Sequence, residues 1–133
     1  MKFSRFFAPI TALLVLFSIT LSADALEAES FTKERFEALQ AEGAPILVDV
    51  YATWCPTCAK QRKVLETYQS ANPDSKLVIL EVDFDDQKEW VKHFKAPRQS
   101  TLLLFDGTEQ VWFSVAETRE DKIFAAIDEL LGQ

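Results

Sequence analysis

Cysteine is nearly missing from this chain: Cys55 and Cys58 are the only two in 133 residues. That excludes a small domain built on disulfides, so a hydrophobic core has to hold the fold. Histidine is scarcer still, with His93 alone. Two cysteines and one histidine on another element fall short of the four ligands of a structural zinc site. A Cu(I) clip on the two thiolates is the metal option left open. Positive charge is also short, with 14 Lys and Arg against 21 Asp and Glu and a net charge of −7. That balance argues against nucleic acid and anionic membrane surfaces as partners. After residue 26 there are no internal repeats, low-complexity tracts or long linkers.

The one long apolar run sits at the N-terminus. Lys2 and Arg5 precede a stretch from Phe6 to Leu21 broken only by Pro9, Thr11, Ser18 and Thr20, and Ala23-Asp24-Ala25 follows as an A-x-A site. This order predicts a secretory signal peptide over residues 1–25 and a mature domain over 26–133. The run is short for a membrane span, which needs ~20 apolar residues; an uncleaved N-terminal anchor is the alternative. No cysteine lies near the cleavage site, which excludes lipid attachment there. Removing 25 of the 133 residues leaves 108, with 12 basic and 20 acidic side chains and a net charge of −8. That is one small domain, expected to be a monomer exported to the bacterial periplasm.

Along the mature chain, Ser30-Phe31-Thr32 opens a helix through Gln40, with Phe36 and Leu39 on one face and Gly43 as its stop. Residues 46–52 are apolar on both faces apart from Asp49, the pattern of a central strand covered on both sides. Pro56 suits the first position of a second helix, whose stripe is Val64, Leu65, Tyr68 and Ala71 and whose end is Asn72-Pro73-Asp74. Leu77 to Phe84 reads as another strand. Asp86 with Glu89 predicts a capped short helix carrying Trp90, Val91 and Phe94. Two strands around Asp106-Gly107 predict a hairpin, and Thr118 with Asp121 predicts the cap of a last helix. Trp90 and Trp112 read as packing residues, and a short first strand at Leu26 to Ala28 is weakly signalled. Parallel strands joined by helices, with a hairpin at the edge, make an α/β sandwich of three layers.

The pair of cysteines admits three readings: staple, metal clip or reagent. A staple closing so short a loop contributes only about 2 kcal/mol by the chain-entropy relation. The reagent reading has a mechanism. Cys55 falls where a strand gives way to a helix, and unpaired N–H groups and the helix dipole there stabilise a thiolate. Cys58 lies one turn further in, placed to attack a mixed disulfide on Cys55. Asp49, among Leu47, Val48, Val50 and Tyr51, is expensive to bury unless paired or protonated.

The segment ILVDVYATWCPTCAKQRKVLE resembles the active-site segment of thioredoxin-fold proteins, with Trp54-Cys55-Pro56-Thr57-Cys58 in the place of W-C-x-x-C. KLVILEVDFD and STLLLFDGTEQV resemble later strands of the same family, so the likeness covers nearly all of the mature chain. It implies the thioredoxin fold, with a central mixed sheet flanked by helices. It also implies thiol–disulfide exchange without a bound cofactor, with Cys55 as nucleophile, Cys58 as resolving thiol and Asp49 as proton acceptor. The Cys-Pro-Thr-Cys form is similar to that of exported reductases serving cytochrome c maturation, although their central insertion is missing. The chain is too short for the helical insert of DsbA-type oxidases. Trp54 is expected to cover the dithiol, and Trp54, Gln99, Ser100 and Thr101 to face substrate. Two departures stand out: Glu81 where thioredoxins commonly carry a lysine near the buried acid, and Ser100 where they carry a cis-proline.

These observations predict an exported oxidoreductase acting on protein disulfides, reductase or isomerase rather than net oxidant, supplied with electrons by a membrane-embedded donor. A redox-inert or metal-handling binding protein of the same fold is the alternative. Cys55 is expected to be the exposed, acidic thiol and Cys58 the buried one. Asp49 and Glu81 are expected to share a face as a coupled pair that raises one pKa. The Gln99–Ser100 bond is expected to be trans, since a cis bond before serine costs ~2.5–4 kcal/mol.

Overall fold

The computed structural model describes residues 27–133, so the predicted signal peptide and Leu26 lie outside the described residues. The elements run β1 (Glu29–Ser30), α1 (Lys33–Ala41), β2 (Pro45–Tyr51), α2 (Pro56–Ala71), β3 (Val78–Asp83), α3 (Lys88–His93), β4 (Thr101–Asp106), β5 (Glu109–Val115) and α4 (Glu120–Leu131). The strands form one mixed sheet in the order β1-β3-β2-β4-β5. β1, β3 and β2 run parallel, while β4 is antiparallel to β2 and β5 antiparallel to β4.

Strand β2 lies at the centre, and its alternation builds both cores. Ile46, Val48 and Val50 point to one face, where they meet Phe36, Leu39, Val91, Phe94, Leu103 and Phe105. Leu47 points to the other, with Leu65, Tyr68, Leu102, Leu104, Ile123 and Ile127. Helices α1 and α3 therefore cover one face, and α2 and α4 the other. By the same period Asp49 is delivered to the α2 and α4 side. Trp90 and Trp112 are half-buried against these two cores, as packing residues.

The turns follow from residue type. Gly43 ends α1 at φ 68, and the hairpin turn holds Gly107 at φ 55, conformations that favour glycine. A Cβ on Gly107 would lie 3.2 Å from the Gly43 backbone, so the two turns pack directly on each other.

Several local expectations are corrected. The first strand is Glu29–Ser30, paired with Leu80 and Glu81, and not Glu27 and Ala28. Arg35 of α1 grips Glu29 with two hydrogen bonds, of 2.7 and 2.9 Å, and steadies that short strand. Ala71 is exposed; the buried stripe of α2 is Cys58, Gln61, Leu65 and Tyr68. Neither predicted capping pair forms. Asp83, not Asp86, accepts the N–H groups of the turn before α3, and Glu117, not Thr118, accepts those before α4. Both helices start later than the pairs require, and a carboxylate upstream takes the free donors.

Candidate active site

Strand β2 ends at Tyr51, and the chain turns through Thr53 and Trp54 into α2. Cys55 is the N-cap of that helix, in extended conformation, and Pro56 occupies the first turn where its missing N–H removes nothing. The Cys55 sulfur accepts the Cys58 N–H at 3.1 Å, which is the capping bond a serine or aspartate would otherwise make. Burial works against ionisation of Cys55. Hydrogen bonds from the Cys58 thiol, the Ser100 hydroxyl and the Cys58 and Thr57 N–H groups outweigh it, and its pKa lies below the ordinary thiol value. Cys58 goes the other way: burial and the neighbouring Cys55 sulfur push it up, against smaller lowering contributions from Ser100 and the Ala52 backbone.

One expectation about the pair is overturned. Cys55 is as buried as Cys58, each only 4% exposed. Ser100, just before β4, packs on the pair and places its hydroxyl 3.1 Å from Cys55 Sγ and 3.3 Å from Cys58 Sγ, while Ala52, Tyr51 and Phe84 pack on the same cluster. Helix position alone suggests an exposed Cys55; contacts from outside the helix bury it.

The backbone at Ser100 is unusual. No cis peptide bond occurs among the described residues, so the Gln99–Ser100 bond is trans, and Ser100 itself takes φ 66. A non-glycine residue there is strained by ~1–2 kcal/mol. Three contacts hold it. Ser100 N–H donates to the Val50 carbonyl at 2.8 Å. Its own carbonyl accepts from Ala116 N–H at 2.8 Å and from Gln61 Nε2 at 3.2 Å.

Of the other expected site residues, Trp54 is 60% exposed. Its indole N–H donates to Asp85 at 2.7 Å, tying the dithiol turn to the β3–α3 loop. Gln99 is half-buried. Thr101 is fully buried and its hydroxyl donates back to the Arg98 carbonyl at 2.7 Å, so its side chain is engaged locally rather than presented outward.

Asp49 is 1% exposed, and its Oδ1 finds no hydrogen-bond partner among the described residues. Burial first, then the Glu81 charge, raise its pKa to about 7, with Arg62 pulling the other way and the Cys55 charge adding to the rise. Glu81 is the register partner of Asp49 on the neighbouring parallel strand, so the two carboxyls do share a face. Glu81 also accepts a 2.9 Å bond from Arg62 of α2, whose guanidinium lies 5.2 Å from the centre of the Tyr51 ring. A cavity of ≈ 520 Å³ opens here, between Asp49, Arg62, Leu65, Ile79 and Glu81.

Three residues of this site escape sequence reasoning. Gln61 is fully buried and bridges the carbonyls of Ser100 and Glu117, at 3.2 and 2.9 Å. Its signal was a polar residue on the apolar stripe of α2, in step with Cys58 and Leu65. Arg62 brings a cation to Glu81 only when strands and helix are docked; its signal was the spacing of one turn from Cys58. Asp85 had no signal beyond its charge. His93 is exposed on α3, edge-on to Trp90 and Phe94, and no cluster of three or more His, Cys, Asp or Glu suited to a metal occurs among the described residues.

A strand, a helix-capping thiol of lowered pKa, a second thiol one turn on and a buried acid define a dithiol exchange site in an α/β fold. The chain belongs to the thioredoxin family, whose Thioredoxin profile matches residues 27–129. It is similar to the thioredoxin of Alicyclobacillus acidocaldarius subsp. acidocaldarius, 28% identical over 95 residues, covering 71% of this chain and 89% of that one. Its likeness to the thiol:disulfide interchange protein DsbE of Escherichia coli K12 is 37% over 68 residues, half of this chain but only 35% of the relative. Among solved structures it resembles Trxlp from Edwardsiella tarda EIB202, with a TM-score of 0.72 and 35% identity, over 76% of this chain and 98% of that one. The thioredoxin fold and a thiol–disulfide oxidoreductase family follow.

Proposed function

We propose that this chain is an exported thiol–disulfide oxidoreductase that reduces or exchanges disulfides in other proteins through Cys55 and Cys58. The observation that carries the reading is the asymmetry of the dithiol. Cys55 is held toward the thiolate and Cys58 toward the thiol, within one buried cluster at a helix N-terminus. Cys55 thiolate attacks a substrate disulfide, and Cys58 then attacks the mixed disulfide and releases the reduced substrate. Asp49, partly ionised near neutral pH because its pKa is about 7, takes the Cys58 proton. Trp54 offers an exposed apolar surface beside the dithiol, and substrate backbone would be met by the half-buried Gln99 next to Ser100. No bound cofactor is needed, since the dithiol itself carries the two electrons.

Export rests on the basic, apolar and small-residue order of residues 1–25. In the periplasm the protein would act as a monomer, drawing electrons from a membrane-embedded donor. Among the described residues no helix is long and apolar enough to cross a membrane.

The test is stoichiometric reduction of a disulfide-bonded model protein by the pre-reduced chain, compared with Cys55→Ser. Reduction by wild type alone is expected, and failure of the wild type to reduce it overturns the reading. Fractionation of cells expressing the full chain, with sequencing of the mature N-terminus, tests export; a cytosolic chain that keeps residues 1–25 refutes it. The reduction potential measured against glutathione fixes the direction of exchange.

A further inference from the structure

We infer that the Ser100 hydroxyl is itself a catalytic group, a single O–H donor that serves Cys55 while Cys55 is the thiolate and Cys58 once the charge has passed to it. The inference rests on the dithiol reading above and adds a participant to it. Its basis is position: one buried oxygen 3.1 Å from the first sulfur and 3.3 Å from the second. A serine hydroxyl has one proton to donate and two lone pairs with which to accept. It can therefore donate to only one sulfur at a time, and an ionised acceptor binds the proton more strongly than a neutral one. In the reduced site the Cys55 sulfur takes the Ser100 O–H beside the Cys58 thiol, so the hydroxyl is its second side-chain donor.

The chain holds that oxygen in place against backbone strain. Ser100 takes φ 66 while bonded to β2 through Val50, to Ala116 just beyond β5, and to α2 through Gln61. Strain persists where the surroundings over-determine it, and here it aims a hydroxyl at two reacting atoms. The proline that the resembled family carries at this place has no such donor. The ionisable groups acting on the cluster are the two thiols and Asp49 of β2, and on Asp49 in turn Glu81 of β3 and Arg62 of α2.

In the first step a Cys55–substrate S–S bond forms, the substrate disulfide breaks, and the departing substrate thiolate is protonated from solvent. The Cys55 sulfur is then neutral and no longer competes for the hydroxyl. As Cys58 gives its proton to Asp49, Ser100 O–H turns to the new thiolate. Cys58 attacks the Cys55 sulfur, the Cys55–Cys58 disulfide forms as the Cys55–substrate bond breaks, and the second substrate sulfur leaves as a thiolate that is protonated from solvent. Two electrons pass from the dithiol to the substrate, and Ser100 keeps its own proton throughout.

Ser100→Gly is the informative variant, because glycine adopts this backbone freely and only the hydroxymethyl group is lost; Ser100→Ala is the second. Two readouts apply to the reduced proteins: iodoacetamide alkylation of Cys55 against pH, and stopped-flow reaction with Ellman's reagent. In the latter the first phase makes the mixed disulfide on Cys55 and the second is its resolution by Cys58. Loss of the donor is expected to raise the Cys55 titration by about one pH unit. The second phase should slow about tenfold at pH 7. A merely structural role would move the melting temperature and neither thiol readout. Folded Ser100→Gly and Ser100→Ala proteins with wild-type alkylation profiles and second phases overturn the Ser100 assignment alone. A wild type with no second phase overturns the dithiol reading as well.

Discussion

Asp49→Asn is expected to stabilise the protein by an amount that grows with pH. The Asp49 carboxyl lies at about 7 in the folded chain against an ordinary 3.8, chiefly because it is buried. Below pH 3.8 the folded and unfolded states both hold the proton, and the group has no effect on stability. Between the two values the unfolded chain ionises and the folded one does not, so the folded state binds more protons and stability falls as pH rises. A gap of roughly three units at about 1.4 kcal/mol each comes to about 4 kcal/mol, complete once pH passes the folded value. That is a large part of the roughly 5–15 kcal/mol by which domains are stable at all. Asparagine keeps the shape and cannot ionise. Urea denaturation of the reduced wild type and Asp49→Asn from pH 4 to pH 8 reads the difference directly, since most other groups titrate in both. The difference should be near zero at pH 4 and about 4 kcal/mol at pH 8. Parallel stability profiles would show that Asp49 ionises as freely in the fold as outside it, and the burial argument would fail.

Other expectations follow from the same site. Cys58→Ser should accumulate mixed disulfides with substrate, whereas Cys55→Ser should trap none; faster alkylation of Cys58 than of Cys55 at neutral pH would reverse the assignment. Arg62→Ala removes the charge that holds Asp49 down, so the pH at which the wild-type loss of stability levels off should move upward, read from the same urea series. Gln61→Leu leaves the Ser100 and Glu117 carbonyls without their shared donor and should cost about 2 kcal/mol, measured by the urea midpoint. An unchanged midpoint would mean that water replaces the amide without loss.

What the sequence made legible was local or periodic. Strand, dithiol and helix follow each other within one segment, so the thiolate-stabilising turn could be read from residues 46–58. Alternation along two apolar runs put Asp49 and Glu81 on one face, and their register pairing agrees. The parts that were not legible depend on distant chain. The hydroxyl that packs on Cys55 comes from Ser100, 45 residues on, and the Trp54 indole is held by Asp85, 31 residues on. Gln61 was hidden because a polar residue on a helix is ordinarily solvated, and only the approach of the β4 and β5 ends buries it. The capping pairs failed for a different reason: a capping box works only at the residue where the helix begins, and composition does not set that residue to within one position.

The separation between Cys55 and Ser100 also orders events in time. Residues 51–71 can form their turn and helix early, from contacts close in sequence. The hydroxyl cannot arrive until β4 has paired antiparallel with β2, a contact that requires closing a long loop. Until then the two cysteines have only the N–H groups of their own helix end and lack the Ser100 hydrogen bonds. The site is therefore complete only when the sheet is.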